Sequence, residues 1–277
     1  VITKLLPPSL AFFGHRRRHV TRTVRYGSAG QRLDIWQGEN QYPNAPILIF
    51  APGGAWASGS RMTFQGHALL ARMVEQGWVC LSIDYRTAPL HRWPSQIEDV
   101  CDAIEWARTN AHRFGGDPNF VAIAGASAGG HLATLAGLDG TLVDACVSIY
   151  GSYDWESRDS LWRTLFMGYL ERVVVGKRYT QAPWLFASAS PMAMVNPGAA
   201  PMMMVHGTRD VLIYVDEARR FFRRLTEVSD NPTRYLEIDG GVHAFDLLHP
   251  GQTVKANRAI AEFLNETWRR AGRRAAA

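Results

Sequence analysis

The stretch Phe120-Val121-Ala122-Ile123-Ala124-Gly125-Ala126-Ser127-Ala128-Gly129-Gly130 decides the fold. Five apolar residues read as a strand buried on both faces. Gly-x-Ser-x-Gly follows, and a helical pattern starts near Gly130. In that strand–turn–helix setting the pattern is a nucleophile elbow. The spacing is steric: so sharp a bend brings the residues two before and two after the serine against the backbone, which Gly125 and Gly129 tolerate. The bend lifts the Ser127 hydroxyl above a sheet, and the following helix N-terminus favours negative charge developing there.

Outward from this stretch, apolar runs alternate with helical patterns, the signature of an α/β protein with a mostly parallel sheet flanked by helices. Residues 31–37 read as an early edge strand. Strongly apolar runs follow at 46–51, 78–83, 120–124 and 145–150, with later strands at 201–205 and 235–238. Helical patterns lie between them at 64–76, 94–113, 129–138, 215–228 and 253–270. The rhythm breaks at 152–199, a stretch rich in large apolar residues including Trp155, Trp162, Leu165, Phe166 and Trp184. So long a gap carries its own structure. We read it as helices inserted above the carboxyl edge of the sheet, where such sheets bind ligands.

A serine hydroxyl needs a general base. His243, in Asp239-Gly240-Gly241-Val242-His243-Ala244-Phe245, lies in a loop just after the last core strand. His206, at the end of the strand before it, reads as structural, as does His131, one helical turn beyond Ser127. The base needs an orienting carboxylate, and Asp210 follows strand 201–205 and the Gly207 turn at the same sheet edge. Asp239 and Asp246 are nearer His243 in sequence, which is weak evidence because such partners come from different loops. The chain order is then Ser127, Asp210, His243. An oxyanion formed at the serine needs backbone N–H donors. One comes from Ala128, and others from the loop Ala51-Pro52-Gly53-Gly54-Ala55-Trp56 after an early strand.

The chain resembles the hormone-sensitive-lipase-like group of α/β-hydrolase esterases, especially its bacterial members. The resemblance rests on Gly53-Gly54-Ala55-Trp56, Asp84-Tyr85-Arg86-Thr87-Ala88-Pro89, the Ser127 elbow, His206-Gly207-Thr208-Arg209-Asp210 and Gly241-Val242-His243-Ala244-Phe245, and spans about 33–263. It implies the α/β-hydrolase fold with a helical cap, carboxylic ester hydrolysis on a small-molecule ester, and no cofactor. It also implies an oxyanion hole built from the amides of Gly54, Ala55 and Ala128. Two positions depart from the family's His-Gly-Gly-Gly-Trp loop: Pro52 stands for the histidine and Ala55 for the third glycine. The amide at 55 survives its change. Pro52 has no N–H and cannot make the histidine's hydrogen bonds.

The apolar insertion implies an acyl pocket, with Trp56, Trp155, Trp162 and Trp184 as its candidate lining. The expected activity is a serine carboxylesterase acting on small to medium acyl esters through an acyl-enzyme. An amidase of arylformamidase type on the same residues is the second enzyme reading, and a non-catalytic ligand-binding protein of this fold the third. No metal-ligand spacing occurs. Cys80, Cys101 and Cys146 are odd in number and scattered, so they read as small core residues rather than a disulfide framework.

The 277 residues suit one unit of this kind: a basic N-terminal arm over 1–30, contributing to the cap or solvated, and an α/β-hydrolase domain over 31–277. Of 30 basic residues, ten lie at the two ends, Lys4, Arg16, Arg17, Arg18, Arg22 and Arg25 at one and Arg269, Arg270, Arg273 and Arg274 at the other. The body between them keeps twenty against 25 acidic residues, which excludes a basic nucleic-acid surface. The run His15-Arg16-Arg17-Arg18-His19 suits peripheral contact with an anionic membrane, so a cytoplasmic or membrane-associated location is expected. The apolar stretch 5–14 precedes the arginines, the wrong order for a signal peptide.

Overall fold

A computed structural model describes residues 8–275. Lys4 and the first residues of the apolar stretch 5–14 lie outside them. Eight strands form one sheet in the order β1-β2-β4-β3-β5-β6-β7-β8. They are β1 Val20–Arg25, β2 Arg32–Trp36, β3 Ala45–Ala51, β4 Val79–Ile83, β5 Gly116–Ala126, β6 Ala145–Ile149, β7 Met202–Gly207 and β8 Thr233–Ile238. β1 and β2 run antiparallel to their neighbours, and every pairing from β4 to β8 is parallel.

The alternation of side chains explains the two layers. In β3, Ile47 and Ile49 face one core, and Leu48 and Phe50 the other. The first core is closed by α3 Ser95–Asn110, α4 Ala128–Leu138 and α7 Val215–Val228, through residues such as Val100, Leu132 and Phe221. The second is closed by α2 His67–Glu75 and α8 Pro250–Ala275, whose Ile260, Phe263 and Leu264 are buried. Each such side chain contributes roughly 1.5–3 kcal/mol. Cys80 and Cys146 are buried in these cores and Cys101 is partly buried; all three are free thiols.

Two expectations need correction. Strand 31–37 exists as β2 but is not the edge. The edge is β1, which takes residues 20–25 out of the expected arm and pairs them antiparallel with β2. Only Val20 and Val24 are partly buried, a weak apolar pattern that the exposed threonines and arginines around them conceal. α1 Pro8–His19 precedes it and packs beside α2.

The long gap after β6 holds α5 Leu161–Tyr169, a π-helical segment Leu170–Val175, α6 Pro183–Ala187 and a short 3-10 turn Pro191–Met194. Among the described residues no helix is long and apolar enough to cross a membrane.

Candidate active site

β5 runs to Ala126, so Ser127 stands where the chain leaves the sheet for α4. Its backbone is strained, φ 54° and ψ −119°, a conformation costing about 1–3 kcal/mol. The Ser127 N–H donates to the Ile149 carbonyl at 2.9 Å, and its own carbonyl accepts from His131 N–H at 3.0 Å, which holds the bend. A Cβ on residue 125 would sit 2.1 Å from the Gly129 carbonyl oxygen, and one on residue 129 would sit 2.0 Å from the Ala51 oxygen. Both obstructions are backbone, so the glycines are obligatory.

Three distant loops meet here. Ser127 Oγ lies 2.9 Å from His243 Nε2, and His243 Nδ1 lies 2.7 Å from Asp210 Oδ2. The second Asp210 oxygen accepts from the N–H groups of Leu212 and Ile213, each at 2.9 Å. Burial works to raise the Asp210 pKa, but hydrogen bonds from His206 and His243 outweigh it and hold the carboxyl well below the usual range. The Arg209 N–H donates to the Gly241 carbonyl at 2.8 Å, tying the loop of the acid to the loop of the histidine.

The alternative partners face elsewhere. Asp246 accepts the Tyr150 hydroxyl, and Asp239 lies 3.5 Å from the Thr208 hydroxyl. His206 is buried; its Nε2 lies 2.8 Å from the Ile213 carbonyl and 3.3 Å from Asp210 Oδ2, so it also steadies the acid loop. His131 accepts from Trp56 Nε1–H at Nδ1 (3.1 Å) and donates from Nε2 to the Ala189 carbonyl (2.7 Å). Burial pushes its pKa down to about 3.

The loop after β3 is steadied without the family histidine. The Tyr85 hydroxyl donates to the Pro52 carbonyl, and Gly53 N–H donates to Gln65 Oε1, both at 2.8 Å. Ala55 and Trp56 both have positive φ, 53° and 59°. Among the described residues the amides of Gly54 and Ala55 donate to no protein group. The Ala128 amide opens α4, where the first N–H groups have no intrahelical acceptor.

A cavity of about 290 Å³ opens at the serine. Ser127, Ala128 and His243 form its reactive end and Ala55 and Trp56 one wall. α5 supplies Trp162, Leu165, Phe166 and Tyr169, and the acid loop supplies Leu212 and Ile213. Of the four tryptophans expected here, Trp56 and Trp162 line it and two do not. Trp155 is buried behind Trp56, stacked on His131 at 4.6 Å between ring centroids. Trp184, on α6, is 63% exposed and outside the cavity.

Sequence reasoning missed Tyr150, whose ring meets the His243 ring edge-on at 4.9 Å, and the two residues of the acid loop. No local pattern marks Tyr150, because its contact joins segments far apart in the chain, whereas Leu212 and Ile213 stand two and three residues beyond Asp210.

The chain matches the BD-FAE family model over residues 33–225. It is 48% identical to Esterase LipC of Mycobacterium tuberculosis over 95% of this chain and 69% of that protein. It is 36% identical to Esterase LipQ of the same organism over 94% of this chain and 66% of that protein. The chain thus spans about two thirds of these curated relatives. Among solved structures, an esterase of Pyrobaculum calidifontis superposes with a TM-score of 0.79 at 23% identity, covering 93% of this chain and 89% of that one. That likeness concerns the fold, and it is the fold of α/β-hydrolases. The chain therefore belongs to the BD-FAE family, among the hormone-sensitive-lipase-like esterases of the α/β-hydrolase fold.

Proposed function

We propose that this chain is a serine carboxylesterase that hydrolyses small to medium acyl esters through an acyl-enzyme. Ser127 Oγ attacks the ester carbonyl carbon while His243 Nε2 takes its proton. Asp210 keeps the His243 ring oriented and stabilises the imidazolium. The oxyanion is received by the amides of Gly54, Ala55 and Ala128. Collapse expels the alcohol, which carries away the proton held on Nε2. Water then gives a proton to His243 and attacks the acyl carbon; the acid leaves and Ser127 regains its hydrogen.

The observation that carries this reading is the unbroken contact from Ser127 Oγ to His243 to Asp210, at 2.9 and 2.7 Å. The acyl preference rests on the cavity: apolar aromatic walls enclose about 290 Å³, near the lower end of the roughly 300–1,000 Å³ typical of ligand sites. Peripheral contact of the basic N-terminal residues with an anionic membrane surface is part of the same proposal.

Ser127→Ala tests the mechanism. Its kcat/KM on p-nitrophenyl acyl esters is expected to fall by at least about 10⁴-fold. A fluorophosphonate probe should label the Ser127 peptide in the parent and nothing in the variant. Undiminished turnover by Ser127→Ala would end this reading.

A further inference from the structure

The Tyr169 hydroxyl donates to the Ala55 carbonyl at 2.6 Å, joining the last residue of α5 to the loop after β3 across 114 residues of chain. At the other end of α5, Trp162 Nε1–H donates to the Leu212 carbonyl at 2.9 Å, in the acid loop. α5 is thus strapped over the cavity and bonded at each end to a loop the proposed mechanism uses.

The bond at Ala55 matters because of what it holds. The Gly54 carbonyl is fixed by the N–H groups of Ala57 and Ser58, at 3.0 and 2.9 Å. In a trans peptide the following N–H points the opposite way, so the Ala55 N–H faces out of that turn. Ala55 itself sits at φ 53°, where a residue with a Cβ is strained by about 1–3 kcal/mol. Such a conformation persists only if both flanking peptides are held. Trp56 is held through its carbonyl, which accepts from Ala88 N–H at 2.9 Å, and through its indole on His131. The Ala55 carbonyl has one partner among the described residues, the Tyr169 hydroxyl. Without it the peptide between residues 55 and 56 can turn, Ala55 can relax from positive φ, and its N–H swings.

We propose that Tyr169 is a positioning residue that locks Ala55 in its strained conformation, so that oxyanion donation by the Ala55 amide depends on α5 being seated over the cavity. This rests on the esterase reading above. The Tyr169 ring also lines the cavity, so the hydroxyl and the ring have separable effects.

Removing an oxyanion donor outright costs roughly 10²–10³ in kcat, and loosening one is expected to cost about tenfold. Tyr169→Phe keeps the ring and loses the hydroxyl. Measured on p-nitrophenyl acetate, butyrate and octanoate, and normalised to fluorophosphonate-titrated sites, its kcat should fall about tenfold on all three. KM should stay within twofold, and the rate of phosphonylation should fall with kcat. Tyr169→Leu should keep that kcat loss and add a rise in KM that grows with acyl length. A wall residue with no link to Ala55 gives the opposite split: Tyr169→Phe retains kcat, or loses activity only through KM, and either result overturns the proposal. If Ser127→Ala is inactive while Tyr169→Phe is unchanged, the esterase reading stands and this inference fails. If Ser127→Ala remains active, the reading itself fails.

Discussion

His131 lies one helical turn beyond Ser127, buried, with both ring nitrogens bonded to protein. Its folded pKa is about 3 because burial disfavours the imidazolium, whereas in the unfolded chain it titrates near 6.5. Between these values the unfolded state binds the proton and the folded state does not. The stability contributed is complete above pH 6.5 and is lost as pH falls through that window. From pH 7 to pH 5 the loss is about 2 kcal/mol. Urea unfolding at the two pH values should show that decline in the parent, and His131→Gln should flatten it; an unchanged slope would assign it to other groups. The residues of the site differ in how readily they are read from the chain. Ser127 is legible because its bend imposes glycines two positions to either side, a purely local demand. Asp210 and His243 are legible because each closes a strand at the same sheet edge. Trp155 and Trp184 are not legible as outside the cavity, because the loop before α5 turns Trp155 behind Trp56 and the face that α6 presents depends on what it packs against. Tyr169 and Tyr150 carried no local mark at all.

α5 has a further attachment, to α7. Arg163 Nη1 lies 2.6 Å from Glu217 Oε2, both side chains buried, and Glu217 Oε1 accepts from the Tyr153 and Asp154 N–H groups at 2.6 and 3.1 Å. Burial raises the Glu217 pKa, and the Arg163 charge is the main force opposing it. Arg163→Met would leave a buried carboxylate without its cation, which costs about 3–5 kcal/mol. Protonation relieves the penalty. In the variant the folded pKa of Glu217 rises further above the unfolded value, so stability is retained at low pH and lost as pH rises. Thermal melts should therefore separate variant and parent more at pH 8 than at pH 5; an equal gap would mean that packing, not charge, is what the arginine supplies. At this scale most of the fold was visible in advance. The strands β3 to β7 hold apolar runs bounded by turn residues, and the helices between them keep their period. β1 is hidden because an edge strand buries little and its exposed positions are threonines and arginines. The gap of 152–199 announced an insertion by its length, while its division into α5, a π-helical turn and α6 depends on tertiary contacts such as the Arg163–Glu217 pair.

The whole molecule carries its excess of positive charge at its ends, and the fold has already committed part of it. Arg16 is paired at 2.7 Å with the buried Asp34, which Arg61 also contacts at 3.1 Å. Arg17 and Arg18, on the last turn of α1, and Arg22 and Arg25, on β1, are exposed and make no ion pair among the described residues. These four are therefore the N-terminal cations that the described part of the fold leaves free for an anionic membrane. Deleting residues 1–26 would remove the edge strand with them and uncover β2, so charge removal is the cleaner test. Each arginine near an anionic surface is worth about 1 kcal/mol, and the attraction fades over a Debye length of about 10 Å at 0.1 M salt. Replacing Arg17, Arg18, Arg22 and Arg25 together by serine should abolish co-sedimentation with phosphatidylserine vesicles at low salt. The parent should pellet with those vesicles, not with phosphatidylcholine alone, and should be released as salt rises. Esterase activity on soluble substrates should be the same in both proteins, since none of the four touches the cavity or the Ser127 loops. Equal pelleting of parent and variant would show that these arginines are a solvated face, and that any membrane contact is made elsewhere.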